Sequence, residues 1–323
     1  MKYPIDRKEY ITLGGLKQAI HIWGTKQENP VVLFLHGGPG VPNRHGMAKN
    51  HMDLLDDFTI VAWDQRGTGG SYFGCDPASL TLDQLICDCA ELIAYLCRTL
   101  NKEKIFLLGA SWGTELGTLV CQKYPDQIAG YIGYGQVVNG IENENVSYAY
   151  TLEKAKAAGN SEDIAELEKI GPPVNGQYKP VFEGLMTQRR LLKKYGGHST
   201  KKGGYFTGTV IPILTSPELD LRSKIGTAKG YKVCLSQMWP TIVNYDFIKD
   251  CGPFQMPYYI FQGRLDNNTP ASLVQAFYDS IKAPDKDLVW FENSAHGPMG
   301  EEPVKFKKLM REKFLKIAKE SAV

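Results

Sequence analysis

Hydrophobic positions along this chain fall into two kinds of run. Val31–Leu35 (VVLFL), 58–63 (FTIVAW) and 105–108 are continuously apolar and lack a polar face. Such runs predict strands buried on both faces of a parallel sheet. Between them, Leu85, Ile86, Cys89, Leu92, Ile93 and Leu96 recur at helical spacing within 81–100, and Thr81 with Gln84 offers a capping box at its start. Residues 8–13 and 18–23 predict a hairpin around Gly14-Gly15. Leu116, Leu119, Val120 and Tyr124 predict a helix that Pro125 stops, followed by a strand over 129–134.

Strand–helix alternation of this kind predicts a mostly parallel central sheet with helices on both faces. The alternation stops near residue 138 and resumes with strands at 256–261 (MPYYIF) and 287–291 (DLVWF), before a final helix over about 303–319. The intervening block is helical in pattern, punctuated at Gly159-Asn160, Gly171-Pro172-Pro173, Gly196-Gly197 and Gly203-Gly204. It is too long for a loop. The expected organisation is therefore a core of residues 1–137 and 251–323, with a helical cap of residues 138–250 inserted between its halves.

Composition narrows the classes. The chain has 323 residues, 43% hydrophobic and 22% charged, which suits a globular protein of enzyme size. Its 37 basic and 35 acidic residues leave a net charge of +2, so no nucleic-acid partner is expected. The pairs Arg189-Arg190, Lys193-Lys194 and Lys201-Lys202 read as a solvated face. No apolar stretch is long enough for a membrane span, and MKYPIDRKEYIT lacks the apolar core of a signal peptide. The 7 cysteines form no C-x-x-C pair and no His-Cys spacing suited to a metal. A cytoplasmic protein without metal or cofactor is expected; oligomeric state is not readable.

The chemistry begins at Gly109-Ala110-Ser111-Trp112-Gly113, a G-x-S-x-G where a strand meets a helix. There a tight turn can lift a serine hydroxyl above the sheet as a nucleophile. Its partners must follow in the order acid, then histidine. Only His198 and His296 follow Ser111. His198 lies in a glycine-rich, basic stretch that reads as a surface loop, whereas His296 follows the last strand, so His296 is the expected base. Among the aspartates in between, Asp266 directly follows a strand at its carboxyl end and is the expected acid. The oxyanion donors would be the backbone N–H of Trp112 and that of Gly38, with Gly37 in reserve, from the His36-Gly37-Gly38-Pro39-Gly40 loop. His36 reads as a structural hydrogen-bonder.

HGGPG at 36–40, DQRGTGGS at 64–71, GASWG at 109–113, GRLDNNTP at 263–270 and NSAHGP at 293–298 together resemble the proline iminopeptidase branch of the α/β-hydrolase superfamily. The resemblance implies an α/β-hydrolase fold and a serine peptidase that releases N-terminal proline or another residue from short peptides. It also implies acids that hold the substrate's free amine. Glu142, Glu144, Asn267 and Trp239 are the substrate-binding positions considered, with Glu153 a further cap acid. No motif selects among the cap glutamates, whose default reading is exposed helix charge. Some members carry Glu directly after the triad acid, where this chain has Asn267, and small residues where it has Thr114 and Glu115.

Two other readings remain open on the sequence alone. The same machinery could act on esters, lactones or acyl amides in a cap pocket lined by aromatics such as Trp112, Tyr148, Tyr150, Trp239 and Tyr258-Tyr259. The fold could also serve as a ligand sensor, against which a complete triad argues. An epoxide or haloalkane hydrolase would need an aspartate in place of Ser111.

Overall fold

A computed structural model describes residues 3–201 and 211–321. Lys202 and Gly203-Gly204, expected in a basic run and at a break, lie outside the described residues. The strands are β1 (Ile5–Leu13), β2 (Leu16–Gly24), β3 (Val31–Leu35), β4 (Thr59–Trp63), β5 (Ile105–Ala110), β6 (Ile128–Tyr134), β7 (Tyr258–Gly263) and β8 (Lys286–Phe291). They form one sheet in the order β1-β2-β4-β3-β5-β6-β7-β8. β1 and β2 make the expected hairpin, β2 also pairs antiparallel with β4, and all later pairings are parallel.

Side chains alternate across a strand, so a continuous apolar run feeds two cores at once. Val31, Leu33 and Leu35 join Ile105 and Leu107 on one face; Val32 and Phe34 join Phe106 and Leu108 on the other. α1 (Arg44–Asn50), a short helix with no clear periodic signal, adds Met47 to the second face. α2 (Leu82–Thr99) and α3 (Trp112–Lys123) cover the first face with Leu85, Leu92, Leu116 and Val120. Thr81 Oγ1 accepts from the Gln84 N–H at 3.2 Å, as expected. The return half of the capping box is not made, because the Gln84 amide donates to Asp88 instead.

Between β6 and β7 stand α4 (Gly140–Ala157), α5 (Ser161–Ile170), α6 (Val181–Lys194), α7 (Ile211–Thr215), α8 (Leu221–Ile242) and α9 (Phe247–Asp250). Tyr148, Ala155, Leu167, Tyr178, Leu185, Leu191 and Leu235 give these helices a hydrophobic cluster of their own. α8 bridges the layers, since its Cys234, Met238 and Ile242 belong to the core under the sheet. α10 (Ala271–Ser280), α11 (Pro298–Glu301) and α12 (Pro303–Ser321) complete the chain. Val274 and Phe277 of α10 pack on the first face, and Phe306, Met310 and Phe314 of α12 seal the second.

The strand order reverses between β3 and β5. Chain leaving these neighbours diverges, and ligands of open α/β sheets bind in the crevice opened at such a point. HGGPG leaves β3 there, and GASWG ends β5.

Candidate active site

The turn from β5 into α3 explains its own sequence. Ser111 has φ 54° and ψ −123°, in the left-handed range that costs an L side chain energy. A Cβ on Gly109 would stand 2.6 Å from Gly113 O, and one on Gly113 only 2.0 Å from Leu35 O. Only glycine lets strand, turn and helix approach this closely. The Ser111 N–H donates to Tyr134 O at 3.0 Å, fixing the turn against β6. The hydroxyl-bearing side chain lines a cleft between sheet and cap.

Asp266 sits just past the end of β7 and is buried. Its Oδ2 accepts from Thr269 Oγ1 at 2.8 Å, His296 Nδ1 at 2.9 Å and Gln262 Nε2 at 3.0 Å. Its Oδ1 accepts from the backbone N–H groups of Asn268 and Thr269 at 2.8 and 3.0 Å. Burial by itself would raise this carboxyl; the His296 ring and the Thr269 donors outweigh it and hold the group below its ordinary value. Gln262 ties this loop to the chain leaving β6 by accepting from the Gln136 N–H at 2.9 Å.

Because Asp266 can only accept, His296 carries its proton on Nδ1 and leaves Nε2 as an acceptor. Asn268 Nδ2 donates to Nε2 at 3.0 Å. No hydrogen bond joins His296 to Ser111 Oγ among the described residues; Nε2 is engaged by Asn268.

The glycine loop after β3 is locked from behind. His36 Nδ1 donates to Gly37 O at 2.8 Å, and its Nε2 accepts from the Gln65 N–H at 3.2 Å. The Gln65 side chain donates to His36 O at 3.2 Å and accepts from Trp112 Nε1 at 2.9 Å. Burial, only partly opposed by the Gly37 bond, lowers His36 to about 4, so it stays neutral near pH 7. Gly38 and Trp112 both line the cleft beside Ser111. Gly37 lies directly behind, where a Cβ would come within 3.2 Å of Ser111 Cβ.

The expected surface loop at His198 is folded against the loops bearing Asn267 and His296 instead. His198 is half-buried, with its ring centroid 5.2 Å from that of His296. His198 O accepts from the His296 N–H at 3.2 Å, and Gly197 O accepts from the Asn267 N–H at 2.8 Å. Burial, helped by His296, lowers His198 to about 3. Glycines here permit close docking, a use that composition alone does not separate from a free loop.

The cap positions divide. Trp239 lines the cleft, its indole N–H donating to Gly176 O at 3.0 Å. Glu144 also lines it but is buried rather than exposed, gripped through both carboxylate oxygens by Arg189. Arg189 is correspondingly not part of a solvated basic face. Glu142 and Glu153 are exposed, and Asn267 turns its amide to Leu265 O at 3.1 Å; none of the three lines the cleft. Of the proposed aromatics only Trp112 and Trp239 line it; Tyr258 and Tyr259 are buried in the sheet, and Tyr148 in the cap core.

Sequence reasoning missed Asn143, Asn268 and Thr269, all in the cleft wall, and did not assign a site role to Glu115, which lies there too. Asn268 and Thr269 stand two and three residues beyond Asp266, so their position within GRLDNNTP was the available signal. Among the described residues no group of three His, Cys, Asp or Glu side chains is placed to hold a metal ion, and no helix is long and apolar enough to cross a membrane.

A family model described as the alpha/beta hydrolase fold matches residues 30–155. The chain is 30% identical to the "probable aminopeptidase YbaC" of Bacillus subtilis (strain 168), over 92% of each protein. It is 33% identical to a "probable proline iminopeptidase" of Leptolyngbya boryana, over 85% of this chain and 84% of that one. Among solved structures, the proline iminopeptidase of Mycobacterium smegmatis superposes with a TM-score of 0.67 at 17% identity, covering 98% of this chain and all of that one. That likeness speaks to the fold.

Proposed function

Because the chain belongs to the proline iminopeptidase branch of the α/β-hydrolase superfamily and is a hydrolase, we propose that it is a serine aminopeptidase that releases N-terminal residues from short peptides through an acyl-enzyme. The observation that carries this reading is the convergence of Ser111, on its strained turn, with the Asp266–His296 pair at one end of the sheet.

Ser111 Oγ attacks the scissile carbonyl while His296 Nε2 takes its proton. Asp266 holds the ring in the tautomer that leaves Nε2 free to accept, and stabilises the imidazolium that forms. The negative oxygen of the tetrahedral intermediate is met by the backbone N–H groups of Trp112 and Gly38, with Gly37 the alternative. Donors of this kind typically contribute about 3 kcal/mol each to transition-state stabilisation. His296 then gives the proton to the departing amine, and water releases the acyl group by the same steps in reverse. For the first transfer Asn268 must yield Nε2 to Ser111. Catalytic hydrogen bonds that are loose in the free protein commonly close only around substrate.

One observation favours a second reading, in which the acyl substrate is an ester, lactone or amide without a free amine. Leu185, Met186, Leu235, Trp239 and Ile242 make much of the cleft wall apolar, and Arg189 already neutralises the cap acid Glu144.

Three aryl substrates separate the readings: a prolyl amide, its N-acetyl derivative and a short-chain acyl ester. Turnover of the prolyl amide that disappears on N-acetylation and in Ser111→Ala is the expected result. Ester turnover without any prolyl-amide turnover overturns the aminopeptidase reading and keeps the nucleophile. Activity surviving in Ser111→Ala overturns both.

A further inference from the structure

One short turn reaches both nitrogens of the His296 ring. Asp266 opens the turn after β7, and its Oδ1 accepts from the backbone N–H groups of Asn268 and Thr269 at 2.8 and 3.0 Å. That local pairing folds the chain back, so that the side chains at 266, 268 and 269 face one ring. Asp266 Oδ2 accepts from Nδ1 at 2.9 Å, and Thr269 Oγ1 stands 3.2 Å from the same nitrogen. Asn268 Nδ2 donates to Nε2 at 3.0 Å. The ring itself is walled in. The His198 ring lies 5.2 Å away, centroid to centroid, and a Cβ on Gly135 would come within 2.8 Å of His296 Cε1.

The amide is held far less firmly. Its Nδ2 bonds Nε2, while its Oδ1 is buried without a partner. Its orientation follows from the chemistry, since Nε2 carries no proton and only an NH₂ can face it. Asn268 is 8% exposed and lines the cleft together with Ser111. A molecule that fills the cleft therefore meets this amide. On swinging off the ring, the amide has one bond to lose and a partner for Oδ1 to gain. Of the two groups joined at Nε2, it is the one able to move.

Nε2 has a single lone pair for a hydrogen bond, so it accepts from Asn268 or from Ser111, not from both. We propose that Asn268 is a positioning residue that keeps the base in reserve. It occupies the Nε2 lone pair, and so restrains the Ser111 hydroxyl, until an acyl substrate enters the cleft and displaces it. The proposal rests on the reading of Ser111 as nucleophile and His296 as base, and is indifferent to whether the acyl group comes from a peptide or an ester. One hydrogen bond of ordinary net strength slows Ser111 about fivefold. That protects the serine from small electrophiles and is little enough for a substrate that fills the cleft to overcome.

A residue that merely packs beside the ring would behave in the opposite way. Its removal would loosen the base and slow the reaction, and the near-isosteric Asn268→Asp would be the milder change. Under the proposal that order is reversed. Asn268→Ala releases the lone pair and speeds Ser111. Asn268→Asp keeps the shape, but a carboxylate can only accept, so it holds a proton on Nε2 and takes the base out of use.

Two measurements test the reserve. The first is the second-order rate constant for labelling by a small alkyl phosphonofluoridate. In that reaction Ser111 Oγ bonds to phosphorus, the phosphorus–fluorine bond breaks, fluoride leaves and the hydroxyl proton passes to His296. A reagent this small lacks the bulk of an acyl substrate and reads the protein with the amide in place. Asn268→Ala should react about fivefold faster than wild type, and Asn268→Asp roughly 100-fold slower. An Asn268→Ala rate equal to or below that of wild type overturns the proposal and leaves Ser111 as the nucleophile. If neither wild type nor Asn268→Ala is labelled, or Ser111→Ala is labelled equally, the nucleophile reading fails and the reserve with it. The second measurement needs no reaction. NMR on isotopically labelled wild type should show nitrogen–nitrogen coupling across the hydrogen bond between Asn268 Nδ2 and His296 Nε2. Coupling that is present supports the proposal; its absence overturns it whatever the labelling rates.

Discussion

Asp266 and Glu115 are both carboxyls sealed from solvent, and their surroundings are opposite. At the end of β7, Asp266 takes donors from Thr269, His296, Gln262 and two backbone N–H groups. One turn into α3, Glu115 takes none. The first carboxyl is held below its ordinary value against the pull of burial, whereas burial alone pushes the second well above. A carboxyl surrounded by fixed donors is a finished part, ready to orient a base before substrate arrives. A carboxyl buried without donors favours the neutral acid. The difference separates a carboxyl that the chain itself has partnered from one that it has left without a partner.

The harshest way to break the comparison is Asp266→Asn. An amide there can present an NH₂ to His296 and favours the wrong tautomer, so kcat should fall roughly 10⁴-fold with KM little changed. Steady-state kinetics on whichever substrate is turned over checks this, and a loss below tenfold would remove Asp266 from its assigned role. Thr269→Val sharpens the same side. It deletes one donor and leaves the others, so a decline of about tenfold in kcat is expected, a size typical of an outer partner that orients a catalytic group.

On the opposite side, Glu115→Gln should raise thermal stability near neutral pH. The folded carboxyl titrates above its unfolded value of about 4.3, so the stability it contributes is full below that pH and is lost as pH rises toward the folded value. Glutamine does not titrate. The melting temperature of the variant should therefore exceed that of wild type by several degrees at pH 8 and converge with it near pH 4. A gap independent of pH would mean that Glu115 is not the buried unpaired acid described.

The gentlest effect extends the logic to bases. His36 and His51 are lowered to about 4 and His198 to about 3, each chiefly by burial. A lowered folded value means stability that is present above the unfolded value of about 6.5 and lost as pH falls toward the folded one. The melting temperature should begin to decline below pH 6.5, before carboxylates titrate. A flat profile from pH 6.5 to 5 would contradict the neutral state of these rings.

How much was legible follows the same division. The strands were readable because a residue buried on both sides of a sheet leaves an uninterrupted apolar run, as Val31–Leu35 does. The turn at Ser111 was readable because only glycine fits at 109 and 113. Glu144 was not, because its burial depends on Arg189, 45 residues further along and on another helix. Nor was the docking of His198, whose glycine-rich neighbours suit a free loop as well as a close contact. Asn268 was passed over beside Asp266, since nothing local distinguishes an amide that turns toward a histidine from one that turns to solvent. Residues whose role is set by their own backbone announce themselves; residues whose role is set by a distant partner do not.

The two main-chain bonds from Gly197 and His198 also tie one edge of the cap to the loops bearing Asn267 and His296. With α8 rooted in the core as well, the cap is pinned at two separate places. Because the seam is made of backbone groups, replacing side chains in either loop leaves its donors and acceptors in place.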